Sequence, residues 1–421
     1  MIKNCYRFHR RPRPGVVFAT QASVTSDQSN NPMNTQERTE TIDQIRDTVA
    51  RVCQEFDGEY WRARDREREY PTAFVEKLTE LGLLASLIPE EYGGSGLPIS
   101  IGAEILKAIH EFGGNAGACH AQMYTMGTVL RHGSDEQKQA YLPQIAAGDL
   151  RLQAFGVTEP TAGTDTTSIS TMAVRDGERY VVNGQKVWTS RAEHSDLMIL
   201  LARTTPKDAV KKRTDGLSVF LVDMREALNN GMSIKPIRTM VNHSTTEVFF
   251  DDMSIPASSL IGEEGKGFRY ILSGMNAERI LVASESIGDG RYFIRKASEY
   301  ARERTVFGRA IGQNQGIQFP IARSFANVEA AEAILDKACR LYEATDARTG
   351  TYANMAKMLA SESAWEAGDV CMQTFGGFAM AEEYDVERKF REARLYRIAP
   401  ISTNLILSFL AERELDLPRS Y

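Results

Sequence analysis

The sequence predicts a mostly helical protein with a β-rich domain in its middle. Apolar residues recur at helical spacing from about residue 39 to 147, and again from about 267 to the C-terminus. Between about 152 and 260, short runs of β-branched and aromatic residues are bounded by Gly, Asn, Asp and Pro, which predicts a small β-barrel or sandwich. The 421 residues suffice for two or three domains and a large core.

Composition excludes several classes of protein. A net charge of −6 argues against a nucleic-acid partner, and 42% hydrophobic with 25% charged residues is typical of a globular protein. No apolar run approaches the roughly 18 residues of a membrane span. The five cysteines are odd in number and form no C-x-x-C pair, which argues against disulfides or a zinc site and for a reducing compartment. We therefore expect no metal.

The N-terminal leader is basic. Residues 1–26 contain five Lys and Arg residues and no acidic residue, a composition that can mark a mitochondrial transit peptide. Pro12, Pro14 and Gly15 interrupt any amphipathic helix there, which favours a disordered leader or an over-extended start before Met33. We expect a cytoplasmic protein, with the mitochondrial matrix as the alternative if the leader is a transit peptide.

The first helical segment has a clear start signal. Phe74, Leu78, Leu81 and Leu84 recur at helical spacing, and a proline precedes them at position 71. These residues predict an amphipathic helix that begins near residue 72.

The β-rich segment contains several strand-like runs. They cover residues 179–182, 185–188, 197–201, 217–222 and 247–250. Asn183-Gly184 between the first two is a hairpin signal. We therefore expect a tight turn at this dipeptide.

A hydroxyl-rich loop precedes that expected hairpin. Thr158 and Thr164 flank Gly163 in the loop, and Trp188 and Ser190 follow on the second strand-like run. Such a loop beside a Trp could cover an aromatic cofactor. An ordinary hairpin with a buried Trp explains the local pattern equally well.

Widely spaced motifs then point to one family. They are Thr158-Glu159-Pro160-x-Ala162-Gly163-Thr164-Asp165, Asn183-Gly184-x-Lys186-x-Trp188, Arg304-Thr305-Val306-Phe307-Gly308, Gln315, and Gln373-Thr374-Phe375-Gly376-Gly377. Their order and spacing resemble those of the acyl-CoA dehydrogenases, which are FAD-dependent flavoproteins, from about Glu37 to the C-terminus. Thr164 stands where the family usually has Ser.

The resemblance implies a fold of three domains behind the leader. We expect a leader at residues 1–36, an N-terminal helical domain at 37–152, a middle β-barrel at 153–262 and a C-terminal four-helix bundle at 263–421. The fold class is therefore mostly α with a central β-barrel.

The resemblance also implies which residues hold FAD. Thr158 and Ser190 would bond the edge of the flavin ring, Trp188 would pack against it, and Thr164 would lie near the pyrophosphate. A second set would bind FAD phosphate and adenosine groups, across a subunit interface in the case of Arg304: Arg304, Phe307, Gln315, Gln373, Gly376 and Gly377. The glycine pair suits this role because backbone amides approach a ribose or phosphate only where side chains are absent.

The catalytic base departs from the usual family pattern. Many members carry a Glu late in the chain, and Pro400 occupies that position here. A minority, including isovaleryl-CoA and long-chain acyl-CoA dehydrogenases, place the base on an earlier helix in a Glu-Arg pattern, which Glu278 and Arg279 match. Glu278 is the candidate base, and Arg279 is expected beside the substrate; the alternative is a surface Glu paired with a cation.

Pro400 also removes a backbone donor. In the family, the N–H at that position donates to the thioester carbonyl, and proline has no N–H. We expect Ile401 N–H or another donor to replace it.

The implied activity is the conversion of an acyl-CoA to a trans-2-enoyl-CoA. Electrons would leave through an electron-transferring flavoprotein, and the protein would be a homotetramer. Alternatives are a flavoenzyme of the same fold with different chemistry, such as an acyl-CoA oxidase or a non-redox eliminating enzyme, or a non-catalytic subunit that binds FAD or acyl-CoA.

Overall fold

A computed structural model describes residues 35–419 of the chain. The basic leader, with its alternative interpretation as a transit peptide, lies outside the described residues. Within residues 35–419, no helix is both long and apolar enough to cross a membrane.

Six helices form the N-terminal part. They are α1 (Thr35–Glu55), α2 (Gly58–Glu67), α3 (Thr72–Glu80), α4 (Ile99–Glu111), α5 (Ala121–His132) and α6 (Asp135–Ala147). The predicted helix start is confirmed, since α3 begins at Thr72 directly after Pro71 and buries Phe74 and Leu78. Helices α4 and α5 both pack against the long helix that opens the C-terminal part, so the two helical regions share one core.

The middle part is a single eight-stranded sheet with one short helix. Its elements are β1 (Leu152–Gly156), β2 (Met172–Asp176), β3 (Arg179–Ser190), β4 (Leu197–Arg203), β5 (Leu217–Asp223), α7 (Met224–Ala227), β6 (Met232–Pro236), β7 (Thr245–Pro256) and β8 (Leu260–Ile261). The strand order is β6-β7-β3-β2-β4-β5-β8, and β1 pairs with β4 in parallel.

The expected hairpin at Asn183-Gly184 is wrong. Strand β3 runs without a break from Arg179 to Ser190, and the register with β7 shifts between Val182 and Gly184. The dipeptide therefore forms a bulge. Gly184 has φ +147°, and a Cβ there would lie 2.5 Å from Oγ1 of Thr171, so only glycine fits. Pairing with the distant strand β7 overrides the local turn signal.

The two faces of the sheet have different partners. Alternate residues such as Met198, Leu200 and Phe220 join a core that the strands enclose among themselves. The intervening residues Ile199 and Leu201 pack against the helices. Because both faces are apolar, β4 is buried along its whole length.

Five helices and a short hairpin form the C-terminal part. They are α8 (Gly267–Glu303), β9 (Thr305–Val306), β10 (Arg309–Ala310), α9 (Gln315–Glu343), α10 (Thr349–Phe375), α11 (Val386–Tyr396) and α12 (Thr403–Arg413). Helices α8, α9 and α10 pack on one another, and α11 packs on α8 and α10. The predicted fold class, mostly α with a central β domain, is confirmed.

Candidate active site

Glu278 lies in the buried part of α8. Every residue from 277 to 290 is buried, and Glu278 itself is 8% exposed. Burial raises the pKa of its carboxyl to about 7, although nearby positive charges and a hydroxyl limit the rise. Glu278 is therefore not a solvated carboxylate on a helix surface.

Three polar side chains surround the Glu278 carboxyl. The Tyr124 hydroxyl on α5 and the guanidinium groups of Arg279 and Arg191 lie close enough to favour its ionised form. Burial and the facing carboxylate raise the pKa of Tyr124 well above its usual value, so Tyr124 is a neutral donor. The Nε atoms of Arg191 and Arg279 are buried and have no hydrogen-bond partner within residues 35–419.

The hydroxyl-rich loop follows β1, close to this carboxyl. The ring of Phe155 on β1 lies 5.9 Å from that of Tyr124, edge to face. Thr158 follows, half-buried, and its carbonyl accepts a hydrogen bond of 2.9 Å from the N–H of Val187 on β3. Thr164 is exposed in the same loop. The loop is thus fastened to the strand that carries Trp188.

A buried ion pair also fastens the loop to β3. Nζ of Lys186 lies 2.8 Å from Oε1 of Glu159, and both side chains are buried. The Glu159 carboxylate also accepts hydrogen bonds from the N–H groups of Ser170 and Thr171. Although burial opposes ionisation, Lys186 and these donors lower the pKa of Glu159 to about 2, whereas burial lowers the pKa of Lys186 to about 8. We take the pair as ionised at neutral pH, because Lys186 and the N–H donors face a carboxylate.

Trp188 is presented to the outside by a second irregularity in β3. Its φ is +61°, within a register shift between Lys186 and Thr189, and the side chain is 58% exposed. Ser190 lies on the same strand, where its hydroxyl accepts a 2.7 Å hydrogen bond from Nδ2 of Asn242. An exposed indole therefore stands beside half-buried hydroxyls.

The second predicted set lies elsewhere, at the C-terminal end of α8. Arg304 caps the helix, and its guanidinium lies 5.7 Å from the ring centre of Phe378, next to the Gly376-Gly377 turn. Phe307, at the tip of the β9–β10 hairpin, is fully exposed. Gln315, at the start of α9, and Gln373, in the last turn of α10, are also exposed.

The Gly376-Gly377 turn is open to an incoming group. Gly376 has φ +61°, and Cβ atoms added at either glycine would meet nothing within 4 Å. The positive φ of Gly376 explains why glycine is favoured at that position. No neighbouring atom in the described chain explains why position 377 is also glycine. Arg304 forms no ion pair with a carboxylate in the described part of the chain.

The two sets cannot meet within one chain. Glu278 and Arg304 are 26 residues apart along one continuous helix, which corresponds to about 39 Å at 1.5 Å per residue. Phe155 and Tyr124 place the Thr158 loop near the Glu278 end. A ligand held near Glu278 by one chain would therefore need Arg304 from another chain.

The segment around Pro400 is tied to the site through α10. Nζ of Lys357, buried on α10, donates a 2.7 Å hydrogen bond to the carbonyl oxygen of Ile401. Burial lowers the pKa of Lys357 to about 8, and the charge of Glu278 acts on it from nearby. Among residues 35–419, the N–H of Ile401 has no acceptor. The Ile401 carbonyl is thus held by Lys357, and the Ile401 N–H is left available.

Three family models match the chain in order. They describe the N-terminal, middle and C-terminal domains of acyl-CoA dehydrogenases, and match residues 39–149, 154–253 and 265–415. The chain belongs to the acyl-CoA dehydrogenase family. It is an FAD-dependent enzyme, as the sequence resemblance predicted.

Named relatives of this dehydrogenase include a general acyl-CoA dehydrogenase and one with a cyclic acyl group in its name. It is 34% identical over 385 residues to acyl-CoA dehydrogenase fadE12 of Mycobacterium bovis, covering 90% of this chain and 96% of the relative. It is also 34% identical over 412 residues to cyclohex-1-ene-1-carbonyl-CoA dehydrogenase of Syntrophus aciditrophicus, covering 94% and 96%.

Solved structures share the fold at similar coverage. Glutaryl-coenzyme A dehydrogenase in complex with glutaryl-CoA has a TM-score of 0.83 and 27% identity, covering 93% of this chain and 98% of that one. Butyryl-CoA dehydrogenase from Megasphaera elsdenii also has a TM-score of 0.83, at 25% identity, covering 89% and 98%. The relatives' different substrates leave the acyl group of this dehydrogenase open.

The chemical types of these site residues fit the parts of FAD. An exposed indole at Trp188 offers a wall for a flat ring, and the hydroxyls of Thr158 and Ser190 offer polar partners for its edge. Arg304 is a cation without a carboxylate partner in the described chain, and the glycine turn beside it is open.

Several residues of the site had no role in the sequence interpretation. Glu159 and Lys186 both lie inside the family motifs, so the sequence contains a signal for their buried pairing. Tyr124 and Arg191 carry no local signal, because their positions near Glu278 depend on the packing of α5 against α8 and on where the residue after β3 lies.

Proposed function

We propose that this enzyme dehydrogenates a saturated acyl-CoA thioester to a trans-2-enoyl-CoA, with Glu278 as the base. The observation that carries the proposal is a buried glutamate whose pKa is raised to about 7, beside a neutral hydroxyl donor and two guanidinium groups. A base with a pKa near the working pH combines a useful ionised fraction with proton affinity.

Glu278 takes the α-proton of the acyl group in this mechanism. Its ionised form is supported by Tyr124 and by the charges of Arg191 and Arg279, so the carboxylate persists in a buried setting. The orphaned Nε donors of the two arginines favour a ligand that brings hydrogen-bond acceptors, as a thioester does. Arg279 therefore serves as a substrate-binding residue.

Ile401 supplies a donor for the thioester carbonyl in the proposal. Pro400 has no N–H, whereas the N–H of Ile401 has no acceptor in the described chain and its carbonyl is held by Lys357. A fixed backbone donor stabilises the charge that develops on the carbonyl oxygen as the proton leaves.

FAD, when bound, supplies the hydride acceptor. Thr158, Thr164, Trp188 and Ser190 would hold its flavin half and the pyrophosphate. The neighbouring chain would contribute the remaining set: Arg304, Phe307, Gln315, Gln373, Gly376 and Gly377.

This arrangement requires at least a dimer, and we propose the homotetramer typical of the family. We also propose an electron-transferring flavoprotein as the electron acceptor; one structural neighbour, at a TM-score of 0.83, comes from work on the electron transferring flavoprotein of Acidaminococcus fermentans. Relatives from bacteria support a cytoplasmic location.

An anaerobic half-reaction with a panel of acyl-CoAs tests the proposed activity. The panel consists of saturated thioesters and includes butyryl-CoA and glutaryl-CoA, and the absorbance of the oxidised flavin is followed. A dehydrogenase gives bleaching that persists in air and is reversed by an electron-transferring flavoprotein. Rapid reversal by O₂ would identify an oxidase, and no bleaching with any of a broad acyl-CoA series would refute the proposal.

A further inference from the structure

A second buried glutamate lies on the same face of α8 as the proposed base. Glu285 follows Glu278 by seven residues, which is close to two helical turns, so both side chains leave the helix in nearly the same direction. The Glu285 side chain is fully buried. A buried carboxylate is costly, and the reaction as described gives this one no role.

Two residues at the start of α5 face the two glutamates. His120 immediately precedes α5 with helical backbone angles, and Tyr124 follows four residues later, so their side chains share one helix face. Nδ1 of His120 lies 2.7 Å from Oε1 of Glu285, and the Tyr124 hydroxyl lies near Glu278, where it favours the ionised carboxyl. The two rings lie 5.7 Å apart. Two acid–donor pairs therefore stand side by side between α5 and α8.

In the pair of His120 and Glu285, the negative charge lies on Glu285. Burial lowers the pKa of His120, which keeps the imidazole neutral. Burial alone would raise the pKa of Glu285, but His120 and the Tyr396 hydroxyl lower it below its usual value. At neutral pH the pair is a carboxylate that accepts a hydrogen bond from a neutral imidazole.

We infer that Glu285, held by His120, is a positioning residue that keeps a fixed negative charge beneath the proposed base. The inference rests on the proposed role of Glu278. Glu285 does not touch the substrate; it acts on the proton affinity of Glu278 through the short stretch of α8 between them.

Other charged and titratable groups also face these two glutamates. Around Glu278 they come from α5, the residue after β3, α8 and α10: Tyr124, Arg191, Arg279 and Lys357. Around Glu285 they come from α4, α5 and α11, together with the residue before His120: His110, His120, Tyr124, Tyr396 and Cys119. The arginines and Lys357 favour the ionised form of Glu278, whereas the carboxylate of Glu285 favours its protonated form.

Removing the charge of Glu285 should therefore lower the pKa of Glu278. Seven residues at 1.5 Å per residue separate the two positions by about 10.5 Å, and at an effective dielectric constant of about 20 one charge at that distance shifts a pKa by about one unit. Without the charge, Glu278 ionises at lower pH. It also becomes a weaker base, so the plateau rate falls only several-fold.

The test measures the rate of anaerobic flavin reduction against pH at saturating acyl-CoA. In Glu285→Gln, which keeps the shape and the bond from His120, we expect the acid limb of the profile to move down by about one pH unit. Glu285→Asp keeps the charge and should restore the wild-type limb. Ser286→Ala, a neighbouring buried and uncharged position, is the matched control and should leave the limb in place.

A second variant guards against misfolding of the first. His120→Leu removes the donor that keeps Glu285 ionised, so it neutralises Glu285 by a different route and should move the limb in the same direction. A limb that stays within about 0.2 pH units of wild type in whichever of these two variants folds and retains FAD would overturn the inference.

The same experiment separates this inference from the proposed function. If Glu278→Gln still reduces its flavin at the wild-type rate, the base is misassigned and the proposed function fails at that step. If Glu278→Gln is inactive while Glu285→Gln lowers the rate without moving the limb, Glu285 has only a structural role and this inference alone fails.

Discussion

Lys186 and Glu159 form a buried ion pair, with Nζ and Oε1 2.8 Å apart, between β3 and the hydroxyl-rich loop. Thr158 precedes Glu159, and Trp188 lies two residues beyond Lys186. The pair therefore fixes the distance between the two residues proposed to hold the flavin ring. Glu159 and Lys186, which belong to two separate sequence motifs, thus have a structural reason to occur together.

Breaking this pair should cost stability and cofactor together. Lys186→Met leaves the Glu159 carboxylate buried without its cation, and loss of one partner of a buried pair typically costs about 3–5 kcal/mol. We expect that loss in the free energy of unfolding from urea denaturation, with less FAD per chain after gel filtration.

The control for this variant lies in the same loop. Asp165 pairs with Arg213 at 2.6 Å, but both side chains are exposed. Arg213→Ala should cost about 1 kcal/mol or less, with FAD content unchanged. Equal effects of the two variants would show that burial of the pair is not what holds the loop.

The proposed base gives a direct kinetic prediction. Glu278→Gln keeps the shape of the side chain but cannot accept a proton, and loss of a general base typically costs a factor of about 10²–10⁴. Flavin reduction by a good acyl-CoA substrate should slow at least ~100-fold, while FAD content stays near wild type. A variant within a few-fold of the wild-type rate would show that the proton leaves by another route.

The pH dependence of that step follows from the burial of Glu278. Its pKa is raised to about 7, and only the ionised form accepts a proton, so reduction should slow as the pH falls below about 7. Tyr124→Phe removes the nearby hydroxyl that favours the ionised carboxylate, which should move the acid limb to higher pH by about one unit. Stopped-flow traces between pH 5.5 and 9 measure both values, and a limb at the usual pH of a solvated glutamate would contradict the burial argument.

Arg304 should matter to assembly as well as to FAD. Charge-assisted hydrogen bonds contribute about 1.5–3 kcal/mol, so Arg304→Gln should weaken FAD retention by about 10–100-fold. A ligand bound between chains stabilises their association. Sedimentation should therefore show that the Arg304→Gln oligomer dissociates at protein concentrations at which the wild-type oligomer stays intact. Arg302→Gln, an exposed neighbour on α8, should change neither measurement. A monomer that retains FAD tightly would contradict the shared site.

Local sequence predicted the elements that short-range physics determines. The start of α3 after Pro71 and strands such as β4 and β5 follow from spacing and turn residues. Thr158 and Trp188 were expected together, and the bond from Val187 N–H to the Thr158 carbonyl brings them there. The burial of Glu278 could be anticipated only through the family pattern.

Long-range pairing determined what local sequence could not predict. Asn183-Gly184 is compatible with a hairpin or a bulge, and the choice belongs to β7, more than sixty residues away. His120 and Tyr124 carry no catalytic pattern, since their meaning depends on packing between α5 and α8. An open glycine turn at 376–377 becomes understandable only when a second chain is considered.

Helix α8 carries Glu278 in its first third, and Arg304 caps its C-terminal end, about 39 Å away. If each end serves a different active site, a substitution at Glu278 and a substitution at Arg304 of the same chain damage two different sites of a dimer. In a mixed pair of Glu278→Gln and Arg304→Gln chains, one site collects both substitutions and the other collects none. Two preparations of low activity would therefore gain turnover when their subunits are exchanged, and the added activity would be proportional to the fraction of hybrids.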